Sequence, residues 1–164
     1  MSESRGPRYE RFDDESGFQT AVDLLLAQDG RELRLFDPDL SRLRLASPAR
    51  IQLIERFLQA SRTRRLYIAL HDADFLTKYC PRMMALLARH SYAVQINRTL
   101  EEARKAQDSF LVLDALHYVR RPSAQFFRGA LGLNDENEAL AMRGRFGEIW
   151  AASSVAVAPT TLGL

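Results

Sequence analysis

Apolar residues recur along this chain with two different spacings, and segments of the two kinds alternate. Apolar positions three or four residues apart predict amphipathic helices, at residues 16–28, 48–58, 81–90 and 135–152. Alternating or continuous apolar runs predict strands, at residues 31–36, 66–70, 92–96 and 109–113. Because strands and helices alternate, the pattern predicts an α/β fold, a mixed sheet with central parallel strands and helices on both faces.

Weaker patterns mark the two ends of the chain and two further segments. Residues 1–15 are polar and charged, so we expect a flexible tail followed by one domain over residues 16–164. Residues 117–120 fit a hairpin strand, and residues 126–131 fit a weak helix. The last dozen residues are small and apolar, and we expect them to lie against the domain.

Composition excludes several classes of protein. The chain has 164 residues with a single cysteine, which excludes a disulfide framework and a cysteine-rich zinc site. No apolar run approaches the ~18 residues of a membrane span, and residues 1–15 are not a secretory signal, so we expect a cytoplasmic protein without membrane contact. No HExxH, CxxC, GxGxxG or Walker A pattern occurs, so we expect neither metal nor cofactor. The formal net charge of +2 neither argues for nucleic acid by itself nor excludes it.

Polar side chains follow four of the predicted strands. They are Asp37; His71 and Asp72; Asn97, Arg98 and Thr99; and Asp114. In open α/β sheets, ligands bind beyond the carboxyl ends of the strands, so parallel strands would collect these groups at one edge. Loops after strands are also polar without any binding role, and both interpretations stay open.

His71 and Asp72 form the most reactive-looking pair, since an imidazole beside a carboxylate can exchange protons. Neighbouring strand residues point to opposite faces, however, and structural hydrogen bonding is the more common role. Arg120 and Arg121 can bind phosphate through paired guanidinium contacts, although such pairs at strand ends are more often solvated. We expect His117 to be a packing residue.

The segment from Phe110 to Trp150 combines a buried strand, a hairpin strand and a helix that ends in RFGEIW. Tyr118 and Val119 fit the hairpin, and a small residue and an asparagine follow at Gly132 and Asn134. This order resembles the second part of a phospholipase D-type half-domain, in which a strand carrying His-x-Lys-x4-Asp precedes a hairpin strand, a turn, an Asn and a helix ending in Phe-x-x-x-Trp. The upstream RRLYIAL and YAVQIN fit the preceding strands, so the resemblance covers about residues 17–152.

The resemblance implies the fold of that superfamily but not its activity. The motif histidine would fall on Gln107 and the phosphate-binding lysine on Ser109, and only Asp114 matches. Glutamine cannot form a phosphohistidine, and serine offers no positive charge to phosphoryl oxygens. The resemblance therefore implies a degenerate motif without catalytic residues. The chain is also similar to a small proteobacterial group of such domains, sometimes fused behind acetyltransferases of the GNAT type.

A single half-domain has consequences for assembly and function. In the superfamily two halves pack about a pseudo-twofold axis with the site at their seam, which implies a homodimer here or pairing with another protein. Three functions stay open: binding of a phosphate-bearing or anionic ligand, a protein-interaction domain without a small ligand, and an enzyme using His71 and Asp72. The candidate ligand-binding residues are His71, Asp72, Arg98, Asp114, Arg120, Arg121 and Asn134.

Overall fold

Eight strands form one sheet in the computed structural model, which describes residues 6–157. The elements in chain order are β1 (Arg8–Phe12), α1 (Glu15–Leu26), β2 (Glu32–Phe36), α2 (Pro48–Gln59), β3 (Arg65–Leu70), α3 (Asp74–Tyr79), α4 (Pro81–Arg89), β4 (Val94–Thr99), a 3₁₀ helix (Glu101–Lys105), β5 (Ser109–Leu113), β6 (His117–Arg121), β7 (Gly129–Leu133), α5 (Glu136–Ala151) and β8 (Ser153–Val157). Among these residues no helix is long and apolar enough to cross a membrane.

The strand order is β1-β7-β6-β5-β2-β3-β4-β8, with β2, β3 and β4 parallel and the other pairs antiparallel. The predicted mixed sheet with central parallel strands is confirmed, and so is the hairpin strand after residue 113. The expectation that residues 109–113 run parallel to their neighbours is wrong, because β5 is antiparallel to both β2 and β6. A parallel crossover needs a dozen or more residues, and only a short 3₁₀ helix lies between β4 and β5.

Helices cover both faces of the sheet, as predicted. On one face α1 packs against β6 and β7, and α2 packs against α1 and α4. On the other face α5 packs against β2, β4, β5, β6 and β8, above a core built around Phe36, Phe110 and Phe146. β1 and β7 lie at one end of the strand order, outside the strands that α5 contacts most.

Two sequence predictions are wrong at the β1 end of the sheet. Residues 8–12, expected in a flexible tail, form β1, and residues 129–133, expected in part as a helix, form β7, its partner. A neighbouring ring explains why β7 has a glycine at position 132: a Cβ at Gly132 would lie 2.1 Å from Cε2 of Tyr118. Part of the apolar C-terminal segment lies against the domain as β8, and residues 158–164 lie outside the described residues.

α5 is fixed to the sheet by an ion pair and by stacked rings. Arg145 donates from Nε and Nη2 to the two carboxylate oxygens of the largely buried Asp108, at 3.0 and 2.7 Å. The ring of Phe146 stacks on that of Trp150 with centroids 5.5 Å apart, and Trp150 meets Tyr67 edge-on. Phe146 is buried, whereas Trp150 is only partly buried, so Phe146 is the main anchor of this face.

Substituting the α5 rings should therefore destabilise the domain unequally. Phe146→Ala should lower the free energy of unfolding by about 3–5 kcal/mol, and Trp150→Ala by less because part of its ring is in solvent. The control Leu140→Ala, on the exposed side of α5, should change it by less than about 0.5 kcal/mol. Urea unfolding measures all three, and a Trp150 variant less stable than the Phe146 variant would contradict this ranking.

His117 is a buried packing residue at the start of β6. Its Nδ1 accepts a hydrogen bond of 3.1 Å from the backbone N–H of Asn134, so the proton of the neutral ring sits on Nε2. Burial lowers the pKa of His117, and the nearby Asp114 only partly opposes this effect. Protonation of Nδ1 would also remove the acceptor for Asn134.

The domain should therefore lose stability as the pH falls below about 6.5, the pKa of an unfolded histidine. Below this pH, His117 binds a proton in the unfolded chain but stays neutral in the folded chain. The loss in the free energy of unfolding can therefore reach about 1.4 kcal/mol per pH unit. Urea unfolding of the parent and of His117→Gln at pH 7.5 and 5.5 isolates this contribution. The variant should lose less stability on acidification, and equal losses would contradict the assignment.

Candidate functional site

The candidate residues divide between two opposite edges of the sheet. We call the edge where β2, β3 and β4 end and β5 begins the Asp37 edge, and the opposite one the Asp114 edge. The residues at the Asp37 edge are Asp37, His71, Asp72, Arg98, Gln107, Ser109 and Arg121. Asp114 and Asn134 lie at the Asp114 edge. The expectation that all polar strand ends meet at one edge is wrong for Asp114, because β5 runs antiparallel to β2.

Asp114 holds backbone segments together at the Asp114 edge, where Asn134 also lies. Asp114 Oδ1 accepts hydrogen bonds of 2.9 Å from the backbone N–H groups of Arg31 and Glu32, at the start of β2. Both Asp114 and Asn134 have positive φ, 54° and 55°, a conformation that Asp and Asn tolerate at tight turns. Gly132 lies inside β7 rather than in the turn that the family resemblance suggested.

A buried ion pair occupies the centre of the Asp37 edge. Arg121 Nη2 donates to Asp37 Oδ1 at 2.8 Å and to Ser109 Oγ at 3.2 Å. Its Nη1 donates to the carbonyls of Ala124 and Phe126 at 2.9 and 3.1 Å. Arg121 is 1% exposed, and burial lowers its pKa against the opposing effect of Asp37. An arginine stays charged at neutral pH even so, and this charge is already partnered.

Further contacts surround this group, and among the described residues only the buried Nε of Arg121 in it has no hydrogen-bond partner. Asp37 Oδ2 accepts from the backbone N–H groups of Leu40 and Asp39, at 2.7 and 3.1 Å. The guanidinium of Arg121 lies 4.5 Å from the ring centroid of Phe18, a cation–π contact. Gln107 is exposed, and its carbonyl accepts a hydrogen bond from Ala124. Ser109 therefore serves the ion pair, and Gln107 holds the loop after β6.

His71 and Asp72 have separate structural partners. The Ala106 carbonyl, 2.6 Å from His71 Nε2, can only accept, so Nε2 carries a proton. In the neutral ring Nδ1 then accepts from the Thr99 hydroxyl, also at 2.6 Å. Asp72 is exposed and accepts from the backbone N–H of Asp74 at 2.8 Å, at the start of α3. In the described part of the chain the two side chains share no hydrogen bond.

The three candidate arginines do not converge. Arg98 is exposed on β4, on the face that carries Ile96 and the first four helices. Arg121 is buried on the same face of the sheet, and Arg120 is exposed on the other. Arg120 lines a cavity of about 780 Å³ together with Arg11 and Arg128. Residues 6–157 hold no group of three or more His, Cys, Asp or Glu placed for a metal ion.

Sequence reasoning missed the partners of Arg120. Arg11 and Tyr9 belong to the segment expected as a flexible tail, and Arg128 to the segment expected as a weak helix. The alternation in RYERF, with Tyr9 and Arg11 on one side and the buried Phe12 on the other, was the available signal for a strand.

Solved structures share this architecture. The chain is similar to Nuc, a phospholipase D family member from Salmonella typhimurium, with a TM-score of 0.67 at 9% identity over 92% of this chain and 99% of that one. It is similar to TrmBL2, an archaeal chromatin protein, with a TM-score of 0.65 at 12% identity over 91% of this chain and 55% of that one. It is also similar to phosphatidylserine synthase from Haemophilus influenzae, with a TM-score of 0.59 at 14% identity over 95% of this chain and 41% of that one. The chain thus spans about half of TrmBL2, and these likenesses show a phospholipase D-like fold alone.

Sequence comparison gives a narrower result. No curated protein matches the chain. One family model, described as "Domain of unknown function (DUF7931)", matches residues 14–158, which include every element from α1 to β8. The chain therefore belongs to this family, and its fold is phospholipase D-like.

Proposed function

We propose that this domain uses the phospholipase D-like fold without phosphodiesterase activity and binds an anionic ligand. The observation that carries the non-catalytic part of the proposal is the buried group of Arg121, Asp37 and Ser109. It fills the place where the resemblance would put the phosphate-binding lysine. The superfamily chemistry needs a nucleophilic imidazole and an accessible positive charge there.

The charge balance of this group argues against a phosphoryl site. Asp37 neutralises the guanidinium of Arg121, and the two side chains are 3% and 1% exposed. An entering phosphate would have to displace Asp37 and leave a buried carboxylate unpaired, which costs several kcal/mol. Gln107, at the position of the nucleophile, supplies no nucleophilic nitrogen at neutral pH.

The alternative of an enzyme using His71 and Asp72 has less support. Both ring nitrogens of His71 are engaged, by Thr99 and by the carbonyl of Ala106. A proton transfer through this ring would first have to break one of these bonds. Because Asp72 bonds the start of α3 instead of the ring, the pair lacks the orientation that acid–base catalysis needs.

Ligand binding is supported by Arg120 among the original candidates. Its side chain is exposed and lines the cavity of about 780 Å³, which lies within the size range of small-molecule sites. TrmBL2, a neighbour in fold, is described by its mode of DNA binding, so the fold is compatible with binding as a function. A guanidinium recognises phosphate and carboxylate groups through paired hydrogen bonds.

We also propose that the domain forms a homodimer. The basis is the half-domain arrangement of the superfamily, in which a second half completes the seam. Light scattering during size-exclusion chromatography should then give about twice the chain mass of 18.7 kDa. A mass of one chain across the accessible concentration range would contradict this.

The absence of hydrolysis can be tested directly. Purified protein should show no turnover of bis(p-nitrophenyl) phosphate, of phosphatidylcholine vesicles or of DNA above the buffer blank. A Gln107→Ala variant serves as the matched comparison, because Gln107 stands at the nucleophile position. Hydrolysis by the parent that the variant lacks would overturn the non-catalytic proposal.

The buried ion pair should be needed for stability. Asp37→Asn leaves the Arg121 charge unneutralised, and we expect a loss of about 3–5 kcal/mol in the free energy of unfolding. The double variant Asp37→Leu with Arg121→Met removes both charges and should recover part of that loss. The recovery should be incomplete because the N–H groups of Asp39 and Leu40 and the carbonyls of Ala124 and Phe126 lose their partners. Arg98→Gln, which changes an exposed arginine at the same edge, is the control. An Asp37→Asn variant as stable as the parent would contradict the assignment.

A further inference from the structure

Strands β1, β7 and β6 form a trough on the face of the sheet that carries α5. The strand register places Ala130 between Arg11 and Arg120, and Gly132 between Tyr9 and Tyr118. Small residues thus run along the middle strand, with large ones on both sides. We call this grid of six residues the Ala130 trough. All of them except Gly132 line the cavity of about 780 Å³, with Tyr9 and Arg11 on its outer wall.

One end of the Ala130 trough is positively charged. Arg11 and Arg120 share one row, about 10 Å apart at two strand spacings, and Arg128 lines the same cavity at the start of β7. None of the three forms an ion pair with another residue in the range 6–157, and Asp13, which also lines the cavity, pairs with none of them. Exposed like charges at this distance repel each other only weakly in water, and an anion bound between Arg11 and Arg120 would be attracted by both.

The next row offers a surface for a planar group. The ring of Tyr118 covers Gly132, as its 2.1 Å distance from a Cβ built there indicates, so this ring is part of the floor. Tyr118 is held in place because its hydroxyl donates to Asp135 Oδ2 at 3.3 Å. Tyr9 is 58% exposed on the outer wall, and Met142 of α5 lines the inner side. Exposed tyrosine faces stack on flat rings.

The far end of the cavity is negatively charged and limits the ligand. Asp135 and Glu138 line it, and Glu138 is exposed at the first turn of α5. These carboxylates repel a second phosphate but accept hydrogen bonds from an amine or amide. A continuous polyanion such as a nucleic acid strand therefore fits poorly, whereas a molecule with its anion at one end fits well.

We infer that the Ala130 trough binds a small phosphate monoester that carries a planar ring with hydrogen-bond donors, the chemistry of a nucleoside monophosphate. The phosphate lies between Arg11 and Arg120 within reach of Arg128, the ring lies on Tyr9, and its donors face Glu138. This inference rests on the proposed anionic ligand and assigns its site and class.

Isothermal titration of the parent protein with AMP, GMP, CMP and UMP tests the inference. At least one should bind, and the matching nucleoside and ribose 5-phosphate should each bind at least about tenfold more weakly, since each lacks one of the two groups. Binding of none of the four overturns the inference. A single-stranded oligonucleotide that binds more tightly than every mononucleotide also overturns it and favours a nucleic-acid surface.

Three variants locate the site. Arg120→Gln removes one guanidinium and should weaken binding of the best mononucleotide at least about tenfold. Ala130→Leu fills the trough without changing charge and should weaken it as much, with folding checked by circular dichroism. Arg98→Gln, an exposed arginine outside the trough, should leave binding unchanged. Equal binding by the parent and Arg120→Gln rejects the site. Phosphodiester hydrolysis would reject the non-catalytic proposal and leave this result unaffected.

Discussion

The buried pair of Arg121 and Asp37 links more parts of this molecule than any other contact at its edge. It joins the end of β6 to the end of β2 across Ser109 of β5, three strands that are neighbours in the sheet. The same guanidinium fixes the loop after β6 through two carbonyls and packs on Phe18 of α1. Such a charge is tolerated inside a protein only when its partners are nearly complete. At the centre of the Asp37 edge, the side chains of Asp37, Ser109 and Arg121 are thus part of the core.

The residues at the three motif positions around β5 differ in their structural surroundings. Asp114 Oδ1 accepts hydrogen bonds from two backbone N–H groups at the start of β2, and this structural role is independent of any reaction nearby. Gln107 and Ser109 lie at the other end of β5, at the Asp37 edge, where Ser109 contacts the buried pair of Arg121 and Asp37. Under the proposed non-catalytic function, the chain keeps the structural residue of the motif, Asp114, without its chemical residues.

Sequence periodicity was enough to predict the elements whose pattern is local. α5, α2 with Pro48 at its start, and the strands β2 and β3 follow from spacing alone. β1 was missed because most of its residues are exposed and charged, which obscures the alternation in RYERF, and β7 was missed because it is rich in small residues. The pairing of Arg121 with Asp37 spans 84 positions, and no local pattern contains it. The antiparallel direction of β5 follows from the connection between β4 and β5, which is too short for a parallel crossover.

The outer wall of the Ala130 trough is an edge strand, and this ties occupancy of the trough to local order. β1 lies at one end of the strand order and, within residues 6–157, pairs with β7 alone, so it can separate without breaking the rest of the sheet. An edge element of this kind opens at a lower free-energy cost than the strands in the middle. A ligand held partly by Tyr9 and Arg11 would bind only while β1 is paired with β7. By linkage, ligand binding would stabilise the pairing of β1, and the pairing would strengthen ligand binding. Slower exchange of the β1 amide hydrogens is then the dynamic signature of a filled trough.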